Sequence, residues 1–518
     1  MRIGVDVGGT NTDAVLMDGA RVVTTVKVPT TPDVMLGVTL ALEHVLLDSA
    51  TSAAAIAAVM IGTTHFTNAV VERRRLAPVA ALRICLPASA GIPPFTDWPR
   101  DLAEVVRARS DMVAGGYEFD GREIAPLDER GVARIAREIR ALGIGAVAVS
   151  SVFAPANAAM ELRAEEIIRN EHPDAAVSLS SAVGRVGLLE RENATILNAS
   201  LTPLARSICS AFGAALARLN IAAPFFISQN DGTLMNPETV ARYPVLTFAS
   251  GPTNSMRGAA FLAAVKDALV IDVGGTTTDL GLLSGGFPRQ SSQAVSFAGV
   301  RTNFRMPDVL SIGIGGGSSV RARPEVTIGP DSVGYQLQQR ALVFGGDTLT
   351  ATDIAVAAGL ADVGQPGRVA HLDRALVHSA LAVIKGRIEE AAGRMKVSAA
   401  AIPVVLVGGG SILLDDTLRG ASMVLRPQHF AVANAVGAAI AQVGGEVDQV
   451  YSYEALGRDA AVRQAMARAA AAAVAAGAAP DSIDFVEVDE LPLAYMPGGA
   501  VRLRVKAVGD LAGLRVAG

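Results

Sequence analysis

Apolar positions along the chain come in two rhythms that alternate. Short β-branched or apolar runs at 3–7, 59–62, 77–86, 146–153, 225–228 and 404–407 predict strands. Stretches with helical spacing at 34–46, 128–142, 158–170, 349–360, 373–396 and 432–443 predict helices. Asp33 caps the first of these and Thr350 or Thr352 caps the fourth. A further long helix carries residues 190–199, and the alternation predicts an α/β fold. From Gly444 onward the pattern changes to a helix over 455–476 and strands near 483–488 and 501–508, joined through Pro497-Gly498-Gly499. This tail reads as a small appended α/β unit, covering or dimerising.

One pattern occurs twice. Val5-Asp6-Val7-Gly8-Gly9-Thr10-Asn11-Thr12-Asp13 returns as Val273-Gly274-Gly275-Thr276-Thr277-Thr278-Asp279 preceded by Ile271-Asp272, and from Asp6 and Asp272 seven of eight positions are identical. So long a period implies two duplicated halves rather than a solenoid. Each copy reads as strand, tight turn, strand. The glycine pairs Gly8-Gly9 and Gly274-Gly275 leave no Cβ in the way, so backbone N–H groups and the Thr10 or Thr276 hydroxyl can converge on phosphate. Asp6 and Asp272, one before each turn, would repel bare phosphate and so imply a hard cation, most simply Mg²⁺. A single copy is read as an ordinary hairpin. Two copies with the same Asp and Thr frame shift the reading to a phosphate site.

Composition narrows the class. The 518 residues suffice for two or three domains; 50% are hydrophobic and only 4% aromatic, so the core is mostly Ala, Val, Leu and Ile. A net charge of -5 gives no reason to expect nucleic acid or an anionic membrane as partner. No signal-peptide h-region follows Met1-Arg2, and the Ala-rich run at 469–479 is too short to span a bilayer, so a cytoplasmic protein is expected. Cys85 and Cys209 sit among apolar residues and read as buried thiols, and the six histidines lack metal-ligand spacing.

Other polar stretches are candidates for ligand contact. Thr63, Thr64 and Asn68 fall where a strand gives way to a helix N-terminus, as substrate contacts or as a plain N-cap, with His65 beside them structural. Asp231 follows a strand end, where open α/β sheets place ligands, and is equally an ordinary turn residue. Ser250-Gly251-Pro252-Thr253-Asn254-Ser255 has the content of an anion-binding turn before a helix. Gly315 and Gly316, in a glycine-dense stretch, suggest a backbone that something approaches closely. Gly408, Gly409, Gly410 and Ser411 follow an apolar strand and suit a base or ribose. Arg191, Glu192, Asn193 and Asn198 read as a solvated helix face, and the Pro-rich loop around Trp98 as surface.

In these motifs the chain resembles the hydantoinase A and 5-oxoprolinase family, within the actin, Hsp70 and sugar-kinase ATPase superfamily. The resemblance is carried by Asp6 to Asp13, Lys27-Val28-Pro29-Thr30-Thr31-Pro32, Gly62 to Ala69 with Glu72-Arg73, Asn198-Ala199, Ser250-Gly251-Pro252, Asp272 to Asp279, Gly313 to Ser318 and Gly408 to Ser411. It departs at Thr253-Asn254-Ser255-Met256 and over 335–344. It implies duplicated actin-like (ribonuclease H-like) lobes around an ATP cleft, divided as an N-terminal lobe over 1–185, an ATPase lobe over 186–445 and a small C-terminal α/β unit over 446–518. It implies ATP-dependent opening of a hydantoin or 5-oxoproline-like lactam by phosphorylation of the amide oxygen. In that scheme Asp6 and Asp272 orient Mg²⁺; Gly8, Gly9, Thr10, Gly274, Gly275 and Thr276 hold phosphates; Gly408 to Ser411 hold adenosine; and Asp13 positions the attacking group or simply ends the turn. It further implies an oligomer with a separately encoded, hydantoinase B-like subunit. The same family offers a ketone carboxylase subunit as the alternative, and the superfamily a protein-remodelling ATPase.

Overall fold

The computed structural model describes residues 1–513 except 31–33, 292–293, 323–324, 495 and 497. The expected cap Asp33 and the turn residue Pro497 lie outside the described residues. Most expected elements are present. Helices Glu129–Ala141, Ala159–Glu171 and Arg374–Met395 stand within a residue or two of their expected limits, and Asp128, Asp373 and Thr350 cap as their side chains permit.

Three sheets organise the chain. The first has nine strands in the order Asp484–Pro492, Ala500–Gly509, Gln442–Ser452, Thr233–Met235, Phe225–Ser228, Ala58–Thr63, Arg2–Val7, Asn11–Asp18, Arg21–Pro29. The second runs Phe287–Pro288, Thr278–Ser284, Ala268–Val273, Ile402–Val407, Ala421–Leu425, with Val309–Ile312 paired to Thr278–Ser284. The third holds four parallel strands, Arg107–Ala114, Val79–Leu86, Ala146–Ser151 and Ala176–Leu179.

The sequence repeat is a structural repeat. Arg2–Val7 pairs antiparallel with Asn11–Asp18 and parallel with Ala58–Thr63; Ala268–Val273 has the same two relations with Thr278–Ser284 and Ile402–Val407. Register sets Asp6 opposite Asp13 and Asp272 opposite Asp279. Arg2–Val7 is buried along its whole length, as a strand covered on both faces must be, which is why its apolar run is nearly continuous.

Two helices join the halves. Ser250–Ala263 packs on the second sheet, Ala433–Ala439 packs on Arg2–Val7, and each packs on the other. Their backbones touch: a Cβ on Gly437 would lie 1.8 Å from the Asn254 carbonyl oxygen, and one on Gly258 would lie 1.8 Å from that of Ala433. No side chain fits either place.

Five expectations change. The helix expected over 432–443 ends at Ala439, and a strand starts at Gln442 that continues to Ser452. That strand brings the C-terminal hairpin onto the first sheet, so strands from all three expected segments, 1–185, 186–445 and 446–518, share one sheet. The expected helix over 455–476 is broken by Gly457 at φ 75° into Tyr453–Leu456 and Arg458–Ala475. Fourth, Arg191, Glu192, Asn193 and Asn198 of the long helix Leu188–Arg218 are buried, because this part of it lies between the four-stranded sheet and Val300–Thr302. Glu192 pairs with the buried Arg83 and accepts from Ser150 Oγ at 2.7 Å; Arg191 Nε donates to Ser180 Oγ at 2.9 Å; Asn198 Nδ2 donates to Ser178 Oγ at 3.0 Å. Trp98, expected at the surface, is buried and donates to Asn193 Oδ1 at 2.7 Å. Cys85 and Cys209 are free and buried. Among the described residues no helix is long and apolar enough to cross a membrane.

Candidate active site

The two Gly-Gly-Thr turns both line a cleft of about 450 Å³ between the duplicated halves. Each turn is closed by the equivalent bond, Gly8 N to Asn11 O at 3.0 Å and Gly274 N to Thr277 O at 2.9 Å. Each is buttressed from behind, the first by Thr30, whose hydroxyl donates to Gly8 O at 2.8 Å, the second by Gly316 N donating to Gly274 O at 2.9 Å. A Cβ on Gly275 would lie 2.2 Å from Thr10 Oγ1, so only glycine lets the turns come this close. Thr10 Oγ1 is buried in that contact without a hydrogen-bond partner.

Four carboxylates line the cleft: Asp6, Asp13, Asp272 and Asp279. Asp6 accepts from Asn254 Nδ2 at 3.1 Å and from Asn434 Nδ2 at 3.0 Å, and Asn434 Nδ2 also donates to Asp13 at 3.0 Å. Asp13 is further paired with Lys27, its cross-strand neighbour. Burial pushes the Asp6 carboxyl up to about 6, outweighing the two amide donors, with Asp13 and Asp272 adding repulsion. Burial likewise raises Asp272 against a hydrogen bond from Ser255, and raises Asp279 to about 6 against one from Ser311.

Of the residues singled out in the sequence, Asp6, Gly8, Gly9, Thr10, Asp13, Asp272, Gly274, Gly275, Thr276, Gly316, Gly408, Gly409, Gly410 and Thr64 line this one cleft. Five do not. Gly315 is packed behind the second turn, where a Cβ would lie 2.6 Å from Thr276 N. Ser411 is fully buried beneath the glycines. Thr63 is buried and bonded to His65, and Asn68 is exposed on the short helix His65–Val71. Asp231 is a correction: it is buried, binds the Thr233 backbone at 2.9 Å and pairs with Lys506 at 2.9 Å, a structural ion pair that anchors the C-terminal strand. The sequence reading missed Asn434 and the brace formed by Asn254. Asn434 is the lone polar residue in an apolar helix, a signal that was present; nothing local links either amide to Asp6.

Among the described residues no group of three or more His, Cys, Asp or Glu side chains is placed to hold a metal ion unaided. The residues present nevertheless fit a cation that also binds phosphate. Asp6 and Asp272 receive hydrogen bonds from uncharged groups, while Lys27 is committed to Asp13.

Paired hairpins, crossed helices and two Gly-Gly-Thr turns define the class first: a duplicated α/β fold with a cleft between its halves. Within it, residues 2–172 match the hydantoinase/oxoprolinase N-terminal region and residues 191–405 match hydantoinase/oxoprolinase, so the chain belongs to the hydantoinase/oxoprolinase family of enzymes. It is 26% identical over 468 residues to the caprolactamase subunit alpha of Pseudomonas jessenii, covering 85% of this chain and 65% of that protein. It is 29% identical over 401 residues to the acetophenone carboxylase gamma subunit of Aromatoleum aromaticum, covering 69% and 53%. The chain thus spans between about half and two thirds of the length of these relatives. Among solved structures, the ATP-dependent caprolactamase of Pseudomonas jessenii superposes with TM-score 0.78 at 20% identity over 99% of this chain and 88% of the other. A nucleotide-free acetone carboxylase superposes with TM-score 0.68 at 18% identity over 98% and 88%.

Proposed function

We propose that this chain catalyses the ATP-dependent opening of a small cyclic amide, and that it transfers the γ-phosphoryl of ATP to the amide oxygen. The observation that supports the reading best is the pair of phosphate turns on one cleft with Asp6 and Asp272 at their bases, in a chain of the hydantoinase/oxoprolinase family. A resonance-stabilised amide resists water. Placing phosphate on its oxygen makes the carbon electrophilic, and ADP is the leaving group. A first water adds at that carbon and the ring C–N bond breaks, leaving an acyl phosphate; a second water attacks the acyl carbon, and phosphate departs with the original oxygen. The balance is lactam, ATP and two waters to amino acid, ADP and phosphate.

In this reading the chain supplies positioning and charge. Backbone N–H groups of Gly9, Thr10, Gly275 and Thr276, with the unpartnered Thr10 hydroxyl, hold the phosphates, and Gly8 and Gly274 close the turns that present them. Gly408 to Gly410 give the ribose and base a surface without side chains. Asp6 and Asp272 would hold Mg²⁺, largely through water, and the ion would neutralise phosphate charge. Asp13, clamped by Lys27 and Asn434, orients the attacking oxygen. A second reading, a subunit of an ATP-dependent ketone carboxylase, is supported by the similarity to the acetophenone carboxylase gamma subunit. In that second reading phosphate goes to an enolate or to bicarbonate. As in the relatives whose names mark them as subunits, we propose a separately encoded partner and an oligomeric enzyme.

Phosphate release from ATP with Mg²⁺, measured against lactams, hydantoins and ketones with and without ¹⁴C-bicarbonate, tests the reading. Stimulation by a cyclic amide, abolished in Asp272→Asn, supports it. Label fixed from bicarbonate into a ketone would replace it with the carboxylase.

A further inference from the structure

We infer that the base of the nucleotide lies in an apolar slot at one end of the cleft, where the polar side chains Gln338 and Tyr335 each both donate and accept, so that the chain takes adenine and guanine nucleotides without choosing between them. The inference rests on the nucleotide reading of the cleft and deepens it. The glycine strip gives the slot its place. A Cβ on Gly408 would lie 2.1 Å from Asp272 Oδ1 and one on Gly410 would lie 2.6 Å from Gly274 O, so the strip begins against the second Gly-Gly-Thr turn. Past it, Ile412 lines the cleft and packs on the core of the second sheet. Leu337, Phe344 and Val363 line it too, partly buried against a separate small core of Ala341, Val343, Val356 and Val369. Among the described residues no other Val, Leu, Ile or Phe lines the cleft, which makes this the end suited to a base.

The Phe344 wall is held from behind. Val343 N donates to Asp353 Oδ1 at 2.7 Å and Leu342 N to Asp353 Oδ2 at 3.3 Å, and this fully buried carboxylate also completes the capping box of the helix Ala351–Ala357. Gln365 N donates to Val343 O at 2.8 Å and ties the segment of Val363 to the same turn. Apolar and aromatic walls hold a base by its faces, which every base has, so its identity is read only at its edge. The carboxylates that line the cleft belong to the two hairpins, and Lys27 is paired with one of them. At the apolar end the polar side chains are Tyr335, Gln338 and Thr352, and the Thr352 hydroxyl already donates to Gly316 O at 2.9 Å. The Gln338 amide presents N–H₂ and C=O side by side: it donates to adenine N1 and accepts from N6, or, turned over, donates to guanine O6 and accepts from N1. The Tyr335 hydroxyl donates and accepts as well. A slot demanding guanine would need a carboxylate at that edge.

ADP and GDP, each with Mg²⁺, are titrated calorimetrically into the full chain, which needs no turnover and no second subunit. Their dissociation constants are expected to agree within about five-fold, less than one well-placed edge contact provides. Gln338→Glu sets acceptors against the guanine N1–H and N2–H and against the lone pair of adenine N1, and is expected to move the ratio towards GDP by at least about ten-fold. Gln338 is exposed, so the exchange leaves the fold in place. Phe344→Ala is expected to weaken both nucleotides by about ten-fold and leave their ratio unchanged. Wild-type ADP binding more than about five-fold tighter than GDP, or a ratio that Gln338→Glu does not move, would overturn the inference while leaving the nucleotide reading intact. Failure of both diphosphates to bind would remove the nucleotide reading and the inference with it.

Discussion

Asp6→Asn is expected to stabilise the protein while destroying its use of nucleotide. Burial raises the Asp6 carboxyl from an ordinary 3.8 to about 6. The folded protein therefore keeps a proton that the unfolded chain gives up between pH 4 and 6, and its stability falls as pH rises through that window. At about 1.4 kcal/mol per pH unit the loss amounts to about 3 kcal/mol at neutral pH. An Asn side chain carries no such penalty. It does turn one N–H₂ towards a donor, because Asn254 and Asn434 both present Nδ2 to Asp6, and one unmade bond costs about 1–1.5 kcal/mol. The net gain is about 1–2 kcal/mol at pH 7.5, a rise in Tm of about 1–4 °C for a chain of this size. Calorimetry without nucleotide at pH 7.5 and pH 4.5 reads it: the variant melts higher at pH 7.5, and the gap closes or inverts at pH 4.5. With Mg²⁺ and ATP the wild type gains further and Asp6→Asn does not. A variant less stable than wild type at pH 7.5, or a gap independent of pH, would refute the reasoning.

The same carboxylates set the pH dependence of binding: affinity for ATP with Mg²⁺, followed by titration calorimetry, should weaken at least about ten-fold from pH 7.5 to 5, as Asp6 and Asp279 take up protons near 6. Gly437→Ala drives a methyl into the Asn254 carbonyl, forcing the crossed helices apart. It should cost about 1–3 kcal/mol by denaturant melting and weaken nucleotide binding through the Asn254–Asp6 bond. Glu192→Leu leaves Arg83 buried without its partner, and should lower stability by about 3–5 kcal/mol, read as an earlier chemical-denaturation midpoint; a change under 1 kcal/mol would contradict the packing.

Much of the cleft's lining was legible because its parts are local. A strand, two glycines and a threonine fix one turn within a few residues, and duplication multiplied that weak signal until both turns stood out. What the sequence hid is tertiary. Asn434 and Asp6 are 428 positions apart, and only the packing of Gly437 against Asn254 brings the brace to the carboxylate. Arg191, Glu192 and Asn193 look like a solvated face because three successive polar residues ordinarily seek water; Ser180, Arg83 of the neighbouring sheet and the loop residue Trp98 supply their partners instead. Asp231 fails in the opposite direction. Its place after a strand suits a ligand, but the distant Lys506 reaches it and neutralises it. The strand at Gln442–Ser452 was unread because Gly444 and Gly445 interrupt its alternation, while they let the neighbouring elements approach: a Cβ on Gly445 would lie 2.2 Å from the Ala469 carbonyl oxygen.

The central claim, that phosphate is built on the amide oxygen, is tested most directly by oxygen tracing. A lactam that stimulates phosphate release is supplied with ¹⁸O in its carbonyl, in unlabelled water with ATP and Mg²⁺. The account predicts one ¹⁸O in the phosphate released for each ring opened, and none in the carboxylate of the product. Label retained in the organic product, with unlabelled phosphate, would contradict it.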